Sequence, residues 1–212
     1  MHTIFEDRTE AGKRLAKKLT RFHGTDTLII TIPKGGVPVA ATVAHHLQLP
    51  WNVIVSRRLP IPFNPKAGFG AVTADGTVAL NENMIHGLAL RKDQIADTIN
   101  QVKDDAVRIE KLYSHEKPKT DVSGKAVILI DDGVASGYTM VAAIKSLRAQ
   151  GAGKIIAAVP VASRSAAAMI EEEADECVFE IISPSIPFSI ADFYLIWPSL
   201  SDEDIFPILR GD

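Results

Sequence analysis

The sequence predicts an α/β fold, a mostly parallel central sheet flanked by helices, and three observations carry that prediction. Short apolar, β-branched runs recur at 27–32, 53–55, 126–130, 155–161 and 177–182. Stretches with helical periodicity separate most of them. The runs are almost continuously apolar, as strands buried on both faces are, rather than alternating as in a sheet with one wet side. The chain has 212 residues, 46% of them hydrophobic and 23% charged, enough to bury a core as one domain over 1–212. Within it, about 60–118 reads as an insertion and about 183–212 as a C-terminal hood or tail.

Each element has its own signal. Over 5–22, Ala11, Leu15, Leu19 and Phe22 recur at steps of four and three, one face of a helix. The first strand, 27–32, is broken by Lys34-Gly35-Gly36, and 37–47 follows as a helix with Pro38 in its first turn. A second strand at 53–55 ends at Ser56-Arg57-Arg58, and the three prolines of 60–66 read as a loop. Residues 70–73 and 77–80 form a hairpin turning at Asp75-Gly76. The stripe Ile95, Ile99, Val102, Ala106, Ile109, Leu112 makes 91–113 a long helix. A polar connector over 116–124 leads to the most apolar run, 126–130, then to a helix over 136–150 ended by Gly151. A strand (155–161), a helix (163–173) and a strand (177–182) follow, then an aromatic tail and a short helix from about Asp202.

Several classes of function are excluded or disfavoured. Nothing reaches the roughly 18 apolar residues of a membrane span. The charged first residues read as no secretory leader, so a soluble, cytoplasmic protein is expected. A single cysteine, Cys177, excludes an internal disulfide and a cysteine-cluster zinc site, and reads as an inert buried thiol. His45, His46, His86 and His115 lack metal-ligand spacing. The net charge of −3 argues against bulk nucleic acid or an anionic membrane as partner. Lys13, Arg14, Lys17, Lys18 and Arg21 on the first helix read as a solvated face.

In parallel sheets ligands sit beyond the carboxyl ends of the strands, and three strand ends carry chemistry here. The strand 126–130 delivers Asp131 and Asp132, followed by Gly133, Val134, Ala135, Ser136, Gly137, Tyr138 and Thr139 at the start of a helix. A helix N-terminus offers unpaired amides and a positive dipole end to a phosphate, while adjacent carboxylates suit vicinal hydroxyls. A ligand with a phosphate and a diol, a sugar phosphate, answers both. The second end, Pro33-Lys34-Gly35-Gly36, frees backbone amides beside a cation and suits an anion. The third is the Arg57-Arg58 pair, whose neighbours on a strand point to different sides.

Residues 127–139 resemble the signature that binds 5-phospho-α-D-ribose 1-diphosphate (PRPP) in type I phosphoribosyltransferases: apolar residues, two acids, then a small-residue loop ending in a hydroxyl. Pro33-Lys34-Gly35-Gly36 resembles that family's pyrophosphate loop, and Arg57-Arg58 the basic pair that follows. The likeness to a stand-alone subgroup runs nearly end to end, through Asn64-Pro65, Gly68-Phe69-Gly70, 188–197 and 201–204. Three positions depart mildly: Ser136 where threonine is commoner, Tyr138 where a small residue is common, and Lys34 where arginine also occurs.

The resemblance implies a Mg²⁺-dependent transfer of the phosphoribosyl group from PRPP to a nitrogenous, base-like acceptor. Asp131 and Asp132 would hold the ribose hydroxyls. Ala135 to Thr139, with the Ser136 and Thr139 hydroxyls, would hold the 5-phosphate. Lys34, Gly35, Gly36, Arg57 and Arg58 would bind pyrophosphate, with Lys34 and Arg57 counted beside the two acids as catalytic. Mg²⁺ would be held through PRPP and water, with no direct protein ligand. The resemblance also implies a cis peptide between Pro33 and Lys34. For the acceptor, Phe188 and Tyr194 are the candidates, with Phe193 and Trp197 beside them, any of which could stack on a ring. A homodimer is left open. The alternative reading is a non-catalytic PRPP- or nucleotide-binding regulator on the same fold.

Overall fold

The computed structural model describes residues 4–61 and 64–211. Helix α1 (Arg8–Lys18) is started by Asp7, whose side chain accepts from the Glu10 amide at 2.7 Å. It leads through a short 3₁₀ turn to β1 (Leu28–Thr31), α2 (Gly36–Leu47) and β2 (Trp51–Val53). Next come β3 (Ser56–Ile61), β4 (Asn64–Thr73), β5 (Val78–Leu80), α3 (Glu82–Gly87) and α4 (Lys92–Glu116). The second half runs β6 (Ala126–Ile130), α5 (Tyr138–Ala149), β7 (Lys154–Ser163), α6 (Arg164–Glu171), β8 (Glu176–Ser183) and α7 (Asp202–Arg210). No helix among the described residues is long and apolar enough to cross a membrane.

The main sheet has the order β2-β1-β6-β7-β8, every pair parallel, as the apolar runs predict. Successive residues of its strands point to opposite faces, and both faces are covered. Leu28, Ile30, Val127, Leu129, Ile155 and Ala157 pack with the apolar side of α5 and α6. Ile29, Ile128, Ile130, Ile156 and Ala158 pack with Leu15 of α1, Leu19 at its C-terminal cap, and Val39 and Val43 of α2. The order reverses between β1 and β6, so a crevice opens beyond their carboxyl ends.

The insertion differs from the sequence reading. The second strand is Trp51–Val53 rather than 53–55, and Ser56-Arg57-Arg58, expected at that strand's end, instead opens β3. β3, β4 and β5 form a separate antiparallel sheet, in which Ser56 pairs with Thr73 and Gly70 with Leu80. The expected loop over 60–66 is strand up to Ile61 and again from Asn64, while 62 and 63 lie outside the described residues. Pro60 falls at a register shift, where a missing ladder donor is tolerated. The hairpin at Asp75-Gly76 forms as expected, with Gly76 at φ 92. Helix α3, capped by the Asn81 side chain, has no counterpart in the sequence reading. Leu59, Ile61, Phe69 and Val72 bury one face of this sheet against Ile85, Ile95, Ile99 and Val102 of α3 and α4. Farther along α4, Ala106 and Tyr113 join Ile205 and Leu209 of α7.

Candidate functional site

The two central strands end level with each other, Thr31 beside Ile130 and Ile130 beside Ala158, and two turns meet there. The Thr31 hydroxyl donates to the Ile130 carbonyl at 2.9 Å, fastening the start of one turn to the other. The Pro33–Lys34 peptide is cis, as the resemblance implied. The glycines after it are explained by close approach. A Cβ on Gly36 would overlap the Thr31 hydroxyl and meet the Asp131 Cα at 3.1 Å. One on Gly35 would meet the Asp132 carboxylate carbon at 2.5 Å.

The loop from Asp131 to Gly137 is clamped from the side of β7. The Val134 amide donates to the Val161 carbonyl at 2.8 Å, and the Ser163 amide to the Val134 carbonyl at 2.9 Å. The Ser163 hydroxyl donates to the Ala135 carbonyl at 2.7 Å. Gly137 takes φ 87, a left-handed conformation that glycine adopts without a Cβ clash, and α5 starts at the next residue. The amides of Tyr138 and Thr139 therefore lie in a first helical turn, where they have no intrahelical acceptor. Ser136 is exposed and Thr139 half-buried. The loop geometry is that of an anion cradle at a helix N-terminus.

The paired acids differ. Asp131 is half-buried and Asp132 only 7% exposed. Burial of the carboxyl group pushes Asp131 well above the ordinary carboxylate range, and the neighbouring Asp132 charge adds to it. Burial also raises Asp132, against the pull of Arg8. Arg8, 8% exposed on the first turn of α1, donates its Nε to Asp132 Oδ2 at 2.8 Å and its Nη1 to the Pro198 carbonyl at 3.0 Å. Its guanidinium carbon lies 3.7 Å from the Trp197 ring centroid. The Tyr194 hydroxyl donates to the Asp132 carbonyl at 2.6 Å, and its ring meets those of Phe5 and Trp197 at a tilt of 39° each.

The cations stand around this floor. Lys34 reaches Asp202 of α7 at 3.2 Å, and Asp202 also accepts from the Tyr113 hydroxyl at 2.7 Å. Arg57 pairs with Asp105 of α4 at 3.3 Å. The stem of Arg58 runs over Gly68, where a Cβ would meet its Cδ at 2.6 Å. Ser56 turns inward instead and donates to the Thr139 carbonyl at 2.9 Å, joining β3 to α5.

A cleft of about 810 Å³ gathers most of these residues. Arg57, Arg58, Asp131, Asp132 and the whole of 133–139 line it, with Phe188 and Trp197 on the far wall. Ile32 and Pro33 line it as well, whereas Lys34, Gly35 and Gly36 are not on its wall. Tyr194 is also off the wall: it is 5% exposed and its hydroxyl is committed to Asp132. Cys177 is half-buried and its thiol is pushed up to about 11 by burial, away from thiolate chemistry. Among the described residues no three histidine, cysteine or acidic side chains gather as a metal site. Sequence reasoning missed Arg8 and Asp202 as parts of the site. Their partners lie far off in the chain; Arg8 stands in no motif, and Asp202, though inside the 201–204 stretch of the resemblance, carried no role there.

A parallel α/β protein with an adjacent acid pair, a small-residue loop opening a helix and flanking arginines at its topological switch point is the class that fold and site define. The phosphoribosyl transferase domain family matches residues 73–195, more than half of the chain. The chain belongs to that family, in its type I fold. A Mycobacterium tuberculosis (H37Rv) protein, named provisionally as a phosphoribosyl transferase, is 32% identical over 206 residues, 97% of this chain and 46% of its own length. The chain thus spans about half the length of that relative. A uracil phosphoribosyltransferase of Streptomyces avermitilis is 27% identical over 188 residues, 89% of this chain and 77% of its own. A crystal structure of a Thermus thermophilus protein superposes with a TM-score of 0.81 at 30% identity, covering 98% of both chains.

Proposed function

We propose that this protein is a phosphoribosyltransferase that moves the 5-phosphoribosyl group of PRPP to a nitrogenous, base-like acceptor and releases pyrophosphate. The observation that carries this reading is the convergence of Asp131, Asp132, the 133–139 cradle and Arg57 and Arg58 on one cleft. In the reaction the bond from ribose C1 to the pyrophosphate oxygen breaks, its electron pair leaving with pyrophosphate. A bond from C1 to the acceptor nitrogen forms, and the acceptor's proton passes to solvent. The transition state resembles an oxocarbenium ion, so positioning and charge on the leaving group supply most of the catalysis.

Asp131 and Asp132 accept from the ribose hydroxyls, and the amides and hydroxyls of 135–139 hold the 5-phosphate. Arg57, with Arg58 on the other side of the strand, neutralises the departing pyrophosphate. Lys34 approaches it from the glycine turn, exchanging Asp202 for a phosphate oxygen. A hydrated Mg²⁺ fits these residues, because a partly exposed carboxylate beside arginines suits an ion carried by pyrophosphate oxygens and water rather than caged by protein. When bound it supplies further neutralisation of the pyrophosphate charge. Phe188 and Trp197 are the acceptor's stacking surface, in place of Tyr194. We read 1–212 as one transferase unit working in the cytoplasm, with the antiparallel insertion as a wall of its cleft.

The test is pyrophosphate release from PRPP with Mg²⁺, measured against purines, pyrimidines and other amine acceptors. Release that depends on one acceptor, and that disappears in Asp131→Asn/Asp132→Asn, is expected. PRPP binding without release from any acceptor would turn the reading to a regulator. Absence of PRPP binding would overturn it.

A further inference from the structure

We propose that Arg8 is a positioning residue for the PRPP site: it fixes the Asp132 carboxylate in the orientation that receives the ribose, and ties that carboxylate to the aromatic wall on the acceptor side. The proposal rests on the functional reading above and adds to it a residue from a distant part of the chain.

Three observations carry it. Arg8 is buried on the first turn of α1, a place where basic side chains are ordinarily solvated, and it reaches across to the carboxyl end of β6. Its Nε takes Oδ2 of Asp132 at 2.8 Å, leaving Oδ1 as the acceptor for a ligand hydroxyl. The same guanidinium is itself held, by the Pro198 carbonyl at 3.0 Å and by the Trp197 ring at 3.7 Å. A guanidinium fixed on two further sides is a rigid anchor, and its planar fork makes lysine a poor substitute.

The surroundings leave the carboxylate little other choice. Gly35 packs against one side of it, so any rotation toward α2 is closed by backbone. The Asp132 carbonyl is held by Tyr194, and its amide donates to Asp131 Oδ1 at 2.8 Å. The Arg8 guanidinium favours the ionised form of Asp132 against its burial, and the Asp132 charge in turn holds Asp131 up. Without Arg8, the buried Asp132 would lose the cation that opposes its desolvation, and its ionised form would be disfavoured. A protonated or rotated Asp132 is a poorer acceptor for a ribose hydroxyl. Because Trp197 lies on the cleft wall, Arg8 also couples the acceptor side to the ribose side.

The experiment compares wild type, Arg8→Met, Arg8→Lys, Asp132→Asn and Arg8→Met/Asp132→Asn by calorimetry. The two ligands are PRPP with Mg²⁺ and inorganic pyrophosphate with Mg²⁺. Arg8→Met is expected to weaken PRPP about tenfold, within the range that contacting pairs show, while pyrophosphate stays within about twofold. Arg8→Lys, which keeps the charge but not the fork or the ring stack, should fall several-fold short of wild type. In the Asp132→Asn background the Arg8→Met change should add less than about twofold, because the residue acts through that carboxylate. Retained pyrophosphate binding shows that the variants are folded. Should Arg8→Met fail to fold, Arg8→Lys carries the same comparison. Unchanged PRPP affinity in Arg8→Met, parallel loss of both ligands, or fully additive effects with Asp132→Asn would each overturn the proposal. If wild type fails to bind PRPP, the functional reading falls and this proposal with it. If wild type binds and only Asp132→Asn weakens, Arg8 alone has been misassigned.

Discussion

Replacing Gly35 by alanine is a one-methyl perturbation with a large consequence. The backbone there has φ −60 and ψ −37, ordinary right-handed helical values, so alanine brings no conformational strain of its own. Everything it costs comes from space. The added carbon would stand 2.5 Å from the Asp132 carboxylate carbon and 2.8 Å from its Oδ1, against a comfortable carbon–carbon separation of about 3.5–4.0 Å. Relief requires a movement of about 1 Å by the carboxylate. That movement stretches the 2.8 Å contact with Arg8 past hydrogen-bonding range. Breaking one side of a buried ion pair costs about 3–5 kcal/mol, and a turn that yields part of the way instead bears overpacking of about 1–3 kcal/mol. A loss of about 3 kcal/mol is therefore expected. For a chain of this size it lowers Tm by about 6–12 °C. Thermal unfolding of the two proteins measures it directly, and PRPP affinity should fall at least about tenfold alongside. A Tm within about 2 °C of wild type together with unchanged PRPP affinity would refute the packing argument.

Arg57→Ala should reduce turnover more than PRPP affinity, since its charge matters most as pyrophosphate leaves; equal losses in kcat and in binding would refute that role. PRPP affinity should also depend on pH. Burial and the Asp132 charge raise Asp131, and its ionised form is the stronger acceptor for a hydroxyl, so affinity is full above the raised value and weakens as pH falls through it. An affinity that holds steady down to the ordinary carboxylate range near about pH 4 would contradict the assignment. Asp75 offers a stability test remote from the cleft. Burial works against its charge, but hydrogen bonds from Ser146, Thr73 and Thr77 hold it at about 2. The folded value is depressed, so its stabilisation is present above about pH 4 and is lost as pH falls through about 2. Asp75→Asn should cost about 1 kcal/mol at neutral pH after allowance for solvent screening, by urea unfolding, and the difference should vanish in acid.

The parts of the fold that were legible in the sequence are those whose signal is local. Residues 126–130 carry an unbroken apolar run, and the run announces a strand buried on both faces. The acids, the small loop and the helix start follow it without interruption, so both halves of the cradle could be read from one stretch. β3 was misread because Ser56-Arg57-Arg58-Leu59-Pro60 joins two charges to a proline, and its strand character comes from pairing with β4. Tyr194 and Trp197 look alike as aromatics near a tail. Trp197 sits on the wall and Tyr194 under it, and only the long-range bond from the Tyr194 hydroxyl to Asp132 separates them. Arg8 was invisible for the same reason: as a basic residue after a helix cap it has no local mark, and its meaning lies 124 positions away.

The hydrogen bond from Arg8 to Pro198 spans 190 positions, with Asp132 between them in the chain. A ribosome making this protein therefore exposes the glycine turn, the acid pair and the phosphate cradle well before the residues that lock them together. Loop closure on that scale comes late in folding, because its entropy must be met before the contact returns anything. The unfinished chain would hold the Arg8–Asp132 pair without the carbonyl and the ring that fix the guanidinium on two further sides.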